Sequence, residues 1–166
     1  MNLVNFFKQL NFILFFISSK KNVKILHKNA SIEIIKSFNK NLRLFDKINY
    51  IKSKRFNNKS SFIVLKDNNN LIGSGWIYFG KKKWHVSEIN KTISVKNYYL
   101  LYDFTIIKKY RNMGYYSDFL KLIKKKFFRN NLCIYTTLNN PYSFKGIRSS
   151  GFFLNKISSK FLTLSL

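Results

Sequence analysis

The sequence predicts a single α/β domain of the α+β kind, a sheet flanked by helices, and three observations carry that expectation. A strand, a four-residue polar turn and a partner strand occupy Ser61 to Phe79. A strand, tight turn, helix, strand, helix, strand order follows from Tyr98 to Ile157. The chain has 166 residues, 46% of them hydrophobic, which is enough for one core, and it carries no repeat, linker or second domain.

At the start, Phe6, Leu10, Ile13, Leu14 and Ile17 fall at helical spacing within an apolar stretch from Leu3 to Ile17. The spacing predicts an amphipathic helix within residues 1–20, packed on the domain. The stretch is shorter than the roughly 20 residues of a membrane span, and Lys8 interrupts it. A membrane-surface anchor through residues 3–17, or an export signal, stand as alternatives. Val23 to His27 suits a short strand. Ser31 then suits the cap of a helix carrying Ile32, Ile35, Phe38, Leu42 and Phe45. Ile48 to Lys59 is polar and basic, which suits a loop with a short helix.

The hairpin turns at Asp67-Asn68-Asn69-Asn70 and returns over Leu71 to Phe79. Trp84 to Ile89 and Tyr98 to Ile107 read as further strands. Tyr115 to Phe128 reads as a helix burying Tyr116, Phe119, Leu120, Ile123 and Phe127, with lysines outward. Leu132 to Leu138 reads as a buried strand. Asn140 as cap and Pro141 at the first helical position start a second helix that Gly151 ends. Two strands, Phe152 to Ser158 and Lys160 to Leu166, close the chain.

A formal charge of +25 would ordinarily point to nucleic acid or an anionic membrane. Here lysine outnumbers arginine about fivefold, and Lys, Asn, Ile and Phe are abundant together, as A/T-rich codons produce. Arginine, the better bidentate reader of phosphate and guanine, is scarce, and the lysines are spread along the chain. The composition therefore speaks against nucleic acid as the partner and leaves room for an anionic cofactor. The single cysteine, Cys133, lies in an apolar run and has no internal partner, which suits a core position and a cytoplasmic, reducing compartment. No Cys/His spacing suits a metal, and His27 and His85 read as ordinary surface or half-buried residues. Trp76, Trp84 and the tyrosines at 98, 99 and 102 suit core or cleft wall.

The chemistry is most legible at Arg111-Asn112-Met113-Gly114-Tyr115-Tyr116. This turn joins a strand to a helix, so backbone N–H groups and the positive end of the helix dipole converge there, as an anion such as a pyrophosphate requires. Gly114 lets a ligand approach the backbone, and Asn112 tolerates positive φ. With six acidic residues in the chain (Glu33, Asp46, Asp67, Glu88, Asp103 and Asp118), any carboxylate chemistry has few candidates. Glu88 and Asp103 lie in the predicted strands nearest that turn. The plain alternatives are a surface ion pair with a lysine for Glu88 and backbone satisfaction for Asp103.

The turn resembles the Arg/Gln-x-x-Gly-x-Gly/Ala motif of the GCN5-related N-acetyltransferases. The run Leu101 to Lys109 leads into it as in that family. A second motif, Asn-x-x-Ala/Ser with Gly-Phe eight residues on, is matched by Asn140-Pro141-Tyr142-Ser143 and Gly151-Phe152. The resemblance covers about Ser61 to Leu166, and the earlier residues only by element order. It implies a mixed, mostly antiparallel sheet splayed at a cofactor site and acetyl-CoA, or another short acyl-CoA, as acyl donor. Phe104, Thr105 and Ile106 would then face the thioester and pantetheine, Arg111 through Tyr116 the pyrophosphate, and Asn140 and Ser143 the pantetheine end. A small-molecule amine would accept the acyl group, with Glu88 or Asp103 as base.

Two positions depart from the family pattern. Tyr116 replaces the usual final small residue of the first motif. This variant, with Ser143, Gly146 and Ile147, looks like a bacterial subgroup associated with polysaccharide or amino-sugar modification, which implies an amino sugar or sugar nucleotide as acceptor. Ile147 stands where many members place an acidic tyrosine, leaving Tyr102, Tyr110 or Tyr142 as replacement acids. A basic RNA-binding protein, or an inactive protein of this fold, are the competing expectations.

Overall fold

A computed structural model of the chain describes residues 12–20, 23–38, 54–56, 59–79, 83–160 and 163–165. An eight-stranded sheet dominates it. Its strands are β1 (Ile13–Ser18), β2 (Ala30–Ile35), β3 (Ser60–Asp67), β4 (Asn70–Tyr78), β7 (Tyr99–Ile106), β8 (Leu132–Thr137), β9 (Phe152–Ser158) and β10 (Thr163–Ser165). They lie in the order β10-β9-β1-β8-β7-β4-β3-β2, and β5 (Lys83–Val86) and β6 (Lys91–Ser94) form a separate hairpin. All pairs are antiparallel except β7 with β8. Helices α1 (Tyr115–Lys126) and α2 (Pro141–Ser149) connect β7 to β8 and β8 to β9. This is the mixed, mostly antiparallel sheet with flanking helices that the sequence predicts.

Both faces of the sheet centre are covered, which explains the N-terminal correction. Ile13 to Ser18 is not helix but strand β1, held between β8 and β9. Leu14 and Phe16 pack toward Phe119, Leu120 and Ile123 of α1 and Ile147 of α2. Ile13 and Phe15 pack with Val86, Ile89, Ile93 and Val95 on the opposite face. A strand buried on both sides reads as a continuous apolar run, and such a run matches helical spacing by chance. The remainder of that predicted helix, residues 1–11, lies outside the described residues.

Two further expectations in the first 45 residues fail. Ser31 does not cap a helix; it lies in β2, where Ser31 pairs with Lys66 and Glu33 with Val64 of β3. Its exposed Ser31 and Glu33 alternate with half-buried Ile32 and Ile34, the period of an edge strand rather than a helix. The later part of that predicted helix falls beyond the described residues. Val23 to His27 is irregular rather than a strand. A single helical turn stands at 54–56 within the predicted loop. The strand expected over Trp84 to Ile89 ends at Val86 and continues as a 3-10 turn, Ser87–Ile89, before β6, which was not anticipated.

From Tyr98 onward the elements fall where the pattern places them. Of the α1 lysines expected outward, however, Lys121 is buried and Lys124 half-buried, each drawn in by carbonyl or carboxylate partners, while Lys125 is exposed. Asn140 caps α2 by accepting a hydrogen bond from the Ser143 amide at 3.0 Å, with Pro141 at the first turn. Gly151 follows the helix with φ of 80°. Lys124 of α1 donates to the carbonyls of Ser150 and Gly151 at 3.1 and 3.0 Å, so a cation sits at the negative end of α2. No helix among the described residues is long and apolar enough to cross a membrane.

Segment 23–29 is held by one carboxylate. Asp118 on α1 is fully buried and accepts from the Leu26 amide (2.8 Å), the His27 amide (2.9 Å), His27 Nδ1 (2.8 Å) and Lys121 Nζ (3.0 Å). Lys121 also donates to the Lys24 carbonyl at 2.7 Å. Burial opposes the charge on Asp118, but the hydrogen bonds from the His27 backbone, Lys121 and the His27 ring outweigh it and hold the carboxyl below its ordinary value. Asp118→Ala strands these donors and is expected to cost about 3 kcal/mol at pH 7. Because the folded carboxyl titrates below its unfolded value of about 3.9, the stabilisation is complete above that pH and is lost as pH falls through the folded value. Urea denaturation of wild type and Asp118→Ala should therefore show a gap in stability at pH 7 that narrows below about pH 4.

Candidate active site

The cleft begins where two strands part. β7 and β8 pair in parallel at Tyr99↔Leu132, Leu100↔Cys133 and Leu101↔Ile134, and their ladder stops there. On its other side β7 remains paired with β4, but Ser74 faces Thr105 while Trp76 faces Tyr102. Asp103 and Phe104 thus stand opposite Gly75 alone, a β-bulge on β7 with Asp103 at φ of 51°. The extra residue switches the alternation, so Leu101, Phe104 and Ile106 all pack in the helix-side core. Phe104 lies over Gly75, where an added Cβ would come within 2.6 Å of its ring. The same ring packs edge-on to Phe119 at 5.1 Å and Tyr116 at 6.3 Å.

Between the parted strands lies a cleft of about 910 Å3, walled by residues 102–106 of β7, 134–137 of β8 and the first turns of α1 and α2. A 3-10 turn at Lys108–Tyr110 leads from β7 into the turn before α1. Asn112 and Gly114 take φ of 63° and 85° there. Both values lie in the left-handed region, which the sequence anticipated for Asn112. Asp118 is the first residue of α1 to bond back to the turn, its amide donating to the Gly114 carbonyl at 3.1 Å. The amides before it lie at the helix start, where no preceding turn supplies acceptors, and the helix dipole adds positive potential. Arg111 folds back, Nε donating to the Ile106 carbonyl at 3.0 Å, and with Lys145 it makes the cleft wall basic.

The other end of the cleft is acidic and aromatic. Glu88, Asp103, Tyr102 and Tyr135 line it. Glu88 sits on the 3-10 turn between β5 and β6 rather than on a strand, brought there as Val86, Ile89 and Ile93 pack onto Ile13, Phe15, Leu100 and Cys133. Asp103 pairs with Arg55 at 2.7 Å, and that guanidinium lies over Tyr102 and Trp76 at 5.1 and 5.4 Å. Burial, with the nearby Glu88 charge, pushes the Tyr135 hydroxyl up to about 12. The plain reading of Asp103 as a satisfier of buried backbone is not what the geometry gives, since its carboxylate is exposed and ion-paired.

With these walls in place, the fold can be compared with solved structures. No family model and no curated protein matches the chain at the level of sequence. In structure it superposes on a GNAT-family acetyltransferase from Novosphingobium aromaticivorans with a TM-score of 0.58 over 90% of the chain, at 9% identity. The chain has the fold of the GCN5-related N-acetyltransferases. A GNAT-family acetyltransferase from Colwellia psychrerythraea gives a TM-score of 0.55 over 88% of the chain at 14% identity. A conserved protein of unknown function from Staphylococcus epidermidis gives 0.59 over 95% at 10% identity. The chain spans 62%, 53% and 65% of the length of these three structures, respectively.

Phe104, Thr105, Ile106, Arg111, Asn112, Gly114, Tyr115, Tyr116, Asn140 and Ser143 all line the cleft. Met113 does not; its side chain is 55% exposed outside it. The Tyr115 ring is engaged elsewhere, stacked on His27 at 3.7 Å and donating to Asp67 at 2.7 Å, a bond that raises its hydroxyl to about 12. Of the three replacement acids, Tyr102 donates to Ser60 at 3.0 Å and Tyr142 is 79% exposed at the cleft mouth. Tyr110 packs edge-on against Tyr115. Ile147 is fully buried in the helix-side core and does not line the cleft. Cys133 is a core residue whose thiol burial pushes up to about 12.

Sequence reasoning missed the link between Tyr116 and Gly146. A Cβ at Gly146 would lie 2.3 Å from Cδ1 of Tyr116, so the bulky residue on α1 is accommodated by a missing side chain on α2. The signal was present, since Gly146 belongs to the same variant as Tyr116, but only their contact makes sense of it. Gly146→Ala is expected to destabilise by about 2 kcal/mol through overpacking. Thermal denaturation of Gly146→Ala, Tyr116→Ala and the double variant should give a double variant more stable than additivity allows.

Proposed function

We propose that the chain is an acyl-CoA-dependent N-acyltransferase, moving an acetyl or short acyl group to an amine of an amino sugar or sugar nucleotide. The observation that carries this reading is the polarity of the cleft. One end offers helix-start amides, Arg111 and Lys145 to an anion, and the other offers Glu88 and Asp103 to an amine. Between them runs the free side of β7, which suits a pantetheine arm bonding to backbone as an added strand would. In a chain of net charge +25, two of six carboxylates lining one cleft is a departure from the rest of the surface. Tyr135, half-buried in the cleft wall, supplies an aromatic surface against which a sugar packs.

In this reading the amine attacks the thioester carbonyl, whose oxygen is polarised by a backbone N–H in Phe104 to Ile106. Glu88 takes the proton the amine loses, and Asp103, held by Arg55, orients the acceptor. Positioning and carbonyl polarisation supply most of the rate. Calorimetric titration with acetyl-CoA should show saturable binding, weakened at least about tenfold in Gly114→Trp, which obstructs the anion turn. Absence of binding to wild type would remove the acyltransferase reading and return attention to nucleic acid. With an accepted amine in hand, Glu88→Gln should lower kcat by about a hundredfold or more while acetyl-CoA affinity is kept.

A further inference from the structure

The acceptor end of the cleft contains an ion pair whose cation is held unusually firmly. Asp103 lines the cleft and is half exposed, and Arg55 Nη1 donates to its Oδ2 at 2.7 Å while itself 28% exposed. The guanidinium lies over the rings of Tyr102 and Trp76 at 5.1 and 5.4 Å, and both rings are almost wholly buried. Phe56, next in the chain, packs on Trp76 at 5.0 Å and so ties the short helical turn that carries the arginine to the same aromatic cluster. A cation placed over aromatic faces and bonded to a carboxylate suits arginine rather than lysine. That choice stands out in a chain where lysine outnumbers arginine about fivefold. A guanidinium carries five N–H donors. Among the described residues Arg55 uses one of them, on Asp103, and the part-exposed group keeps others for a ligand.

Such a pair sorts acceptors by charge. An ammonium arriving at Asp103 meets a guanidinium already bonded to the same carboxylate, and the two cations repel. Each further ammonium on the acceptor adds to that cost in a protein of net charge +25. An oxyanion beside the amine reverses the balance. The ammonium then approaches the carboxylates of Glu88 and Asp103 while the oxyanion takes the remaining donors of Arg55, so each charge finds its opposite. We infer that the acceptor is an amine with a phosphate or carboxylate close by, and that Arg55 binds this oxyanion; this rests on the acyltransferase reading above. The bulge that fixes Asp103 on β7 and the rings beneath Arg55 hold the two signs side by side before the acceptor arrives. A phosphorylated amino sugar, a sugar nucleotide or an amino acid meets the requirement. A neutral amino sugar or a polyamine does not.

Four amines test this in an assay of CoA thiol release from acetyl-CoA, in which the buried Cys133 does not interfere. Glucosamine, glucosamine 1-phosphate and glucosaminic acid share an amine at the second carbon and differ at the first, which is neutral, a phosphate or a carboxylate. Neamine supplies the polycation. Calorimetric binding of acetyl-CoA is measured first for every protein. In wild type, kcat/KM for the phosphate, the carboxylate or both should exceed that of glucosamine by about tenfold or more, with neamine the poorest. Whichever of the two leads identifies the oxyanion. Arg55→Gln should bring the anionic-to-neutral ratio to within about threefold of one, chiefly through KM of the anionic amine, with acetyl-CoA affinity kept. Arg55→Lys, which keeps the charge and loses the fork, should fall between, and it decides if Arg55→Gln no longer binds acetyl-CoA. Glucosamine or neamine used as well as the anionic amines would overturn the inference, as would turnover of neither anionic amine by protein that binds acetyl-CoA. A ratio that survives substitution, or a loss shared equally by all amines, would likewise overturn it. These outcomes leave the acyltransferase reading standing on acetyl-CoA binding, whereas wild type that binds no acetyl-CoA fails both.

Discussion

Everything the cleft offers depends on one inserted residue in β7. The Asp103–Phe104 bulge opposite Gly75 changes which residues of the strand face the helices, so Leu101 and Ile106 both reach the helix-side core although an odd number of positions separates them. A bulged strand also bends and twists more than its neighbour, which suits the end of the β7–β8 ladder at Leu101 and Ile134. The backbone beyond is then exposed along one side. The left-handed φ at Asp103 has a chemical reason, because Asp adopts that region more readily than most residues. Arg55 steadies the same carboxylate from outside.

The parts around the bulge are placed by ordinary packing. α1 is pressed to the sheet by Phe119, Leu120 and Ile123, which sets its first turn at the end of β7. α2 is fixed by an Asn cap at one end and the Lys124 cation at the other. The β5–β6 hairpin covers the opposite face and delivers Glu88. Asp118 anchors segment 23–29 beside Gly114, where Leu26 and His27 are the nearest side chains to the turn. The turn before α1 is thus backed by a buried carboxylate that does not itself line the cleft.

How much of this was legible in the sequence differed along the chain for physical reasons. The region from Tyr98 to Ser158 could be read because its signals are local: an Asn-Pro cap, a glycine with positive φ, and helix faces of three- and four-residue spacing. The turn at Asn112 and Gly114 was legible for the same reason. β1 was not, because its two faces are buried by elements more than 70 residues away in sequence, leaving no alternation to see. The bulge at Asp103 has no signature in one strand alone, since it is defined by its pairing with β4. Asp118 looked like a first-turn acid on a helix, and only the backbone of Leu26 and His27 reveals its role. Glu88 lines the cleft beside Asp103, but from a 3-10 turn rather than the strand the pattern suggested.

The proposed function puts the pantetheine arm in the gap between β7 and β8 and the pyrophosphate at the turn before α1. Amide hydrogen exchange with and without acetyl-CoA tests it most directly. Slowed exchange on binding is expected at Phe104 to Ile106 and at Asn112 to Tyr116, with the β2–β3 edge unchanged. Binding that protects other segments and leaves both of these stretches exchanging as before would contradict it.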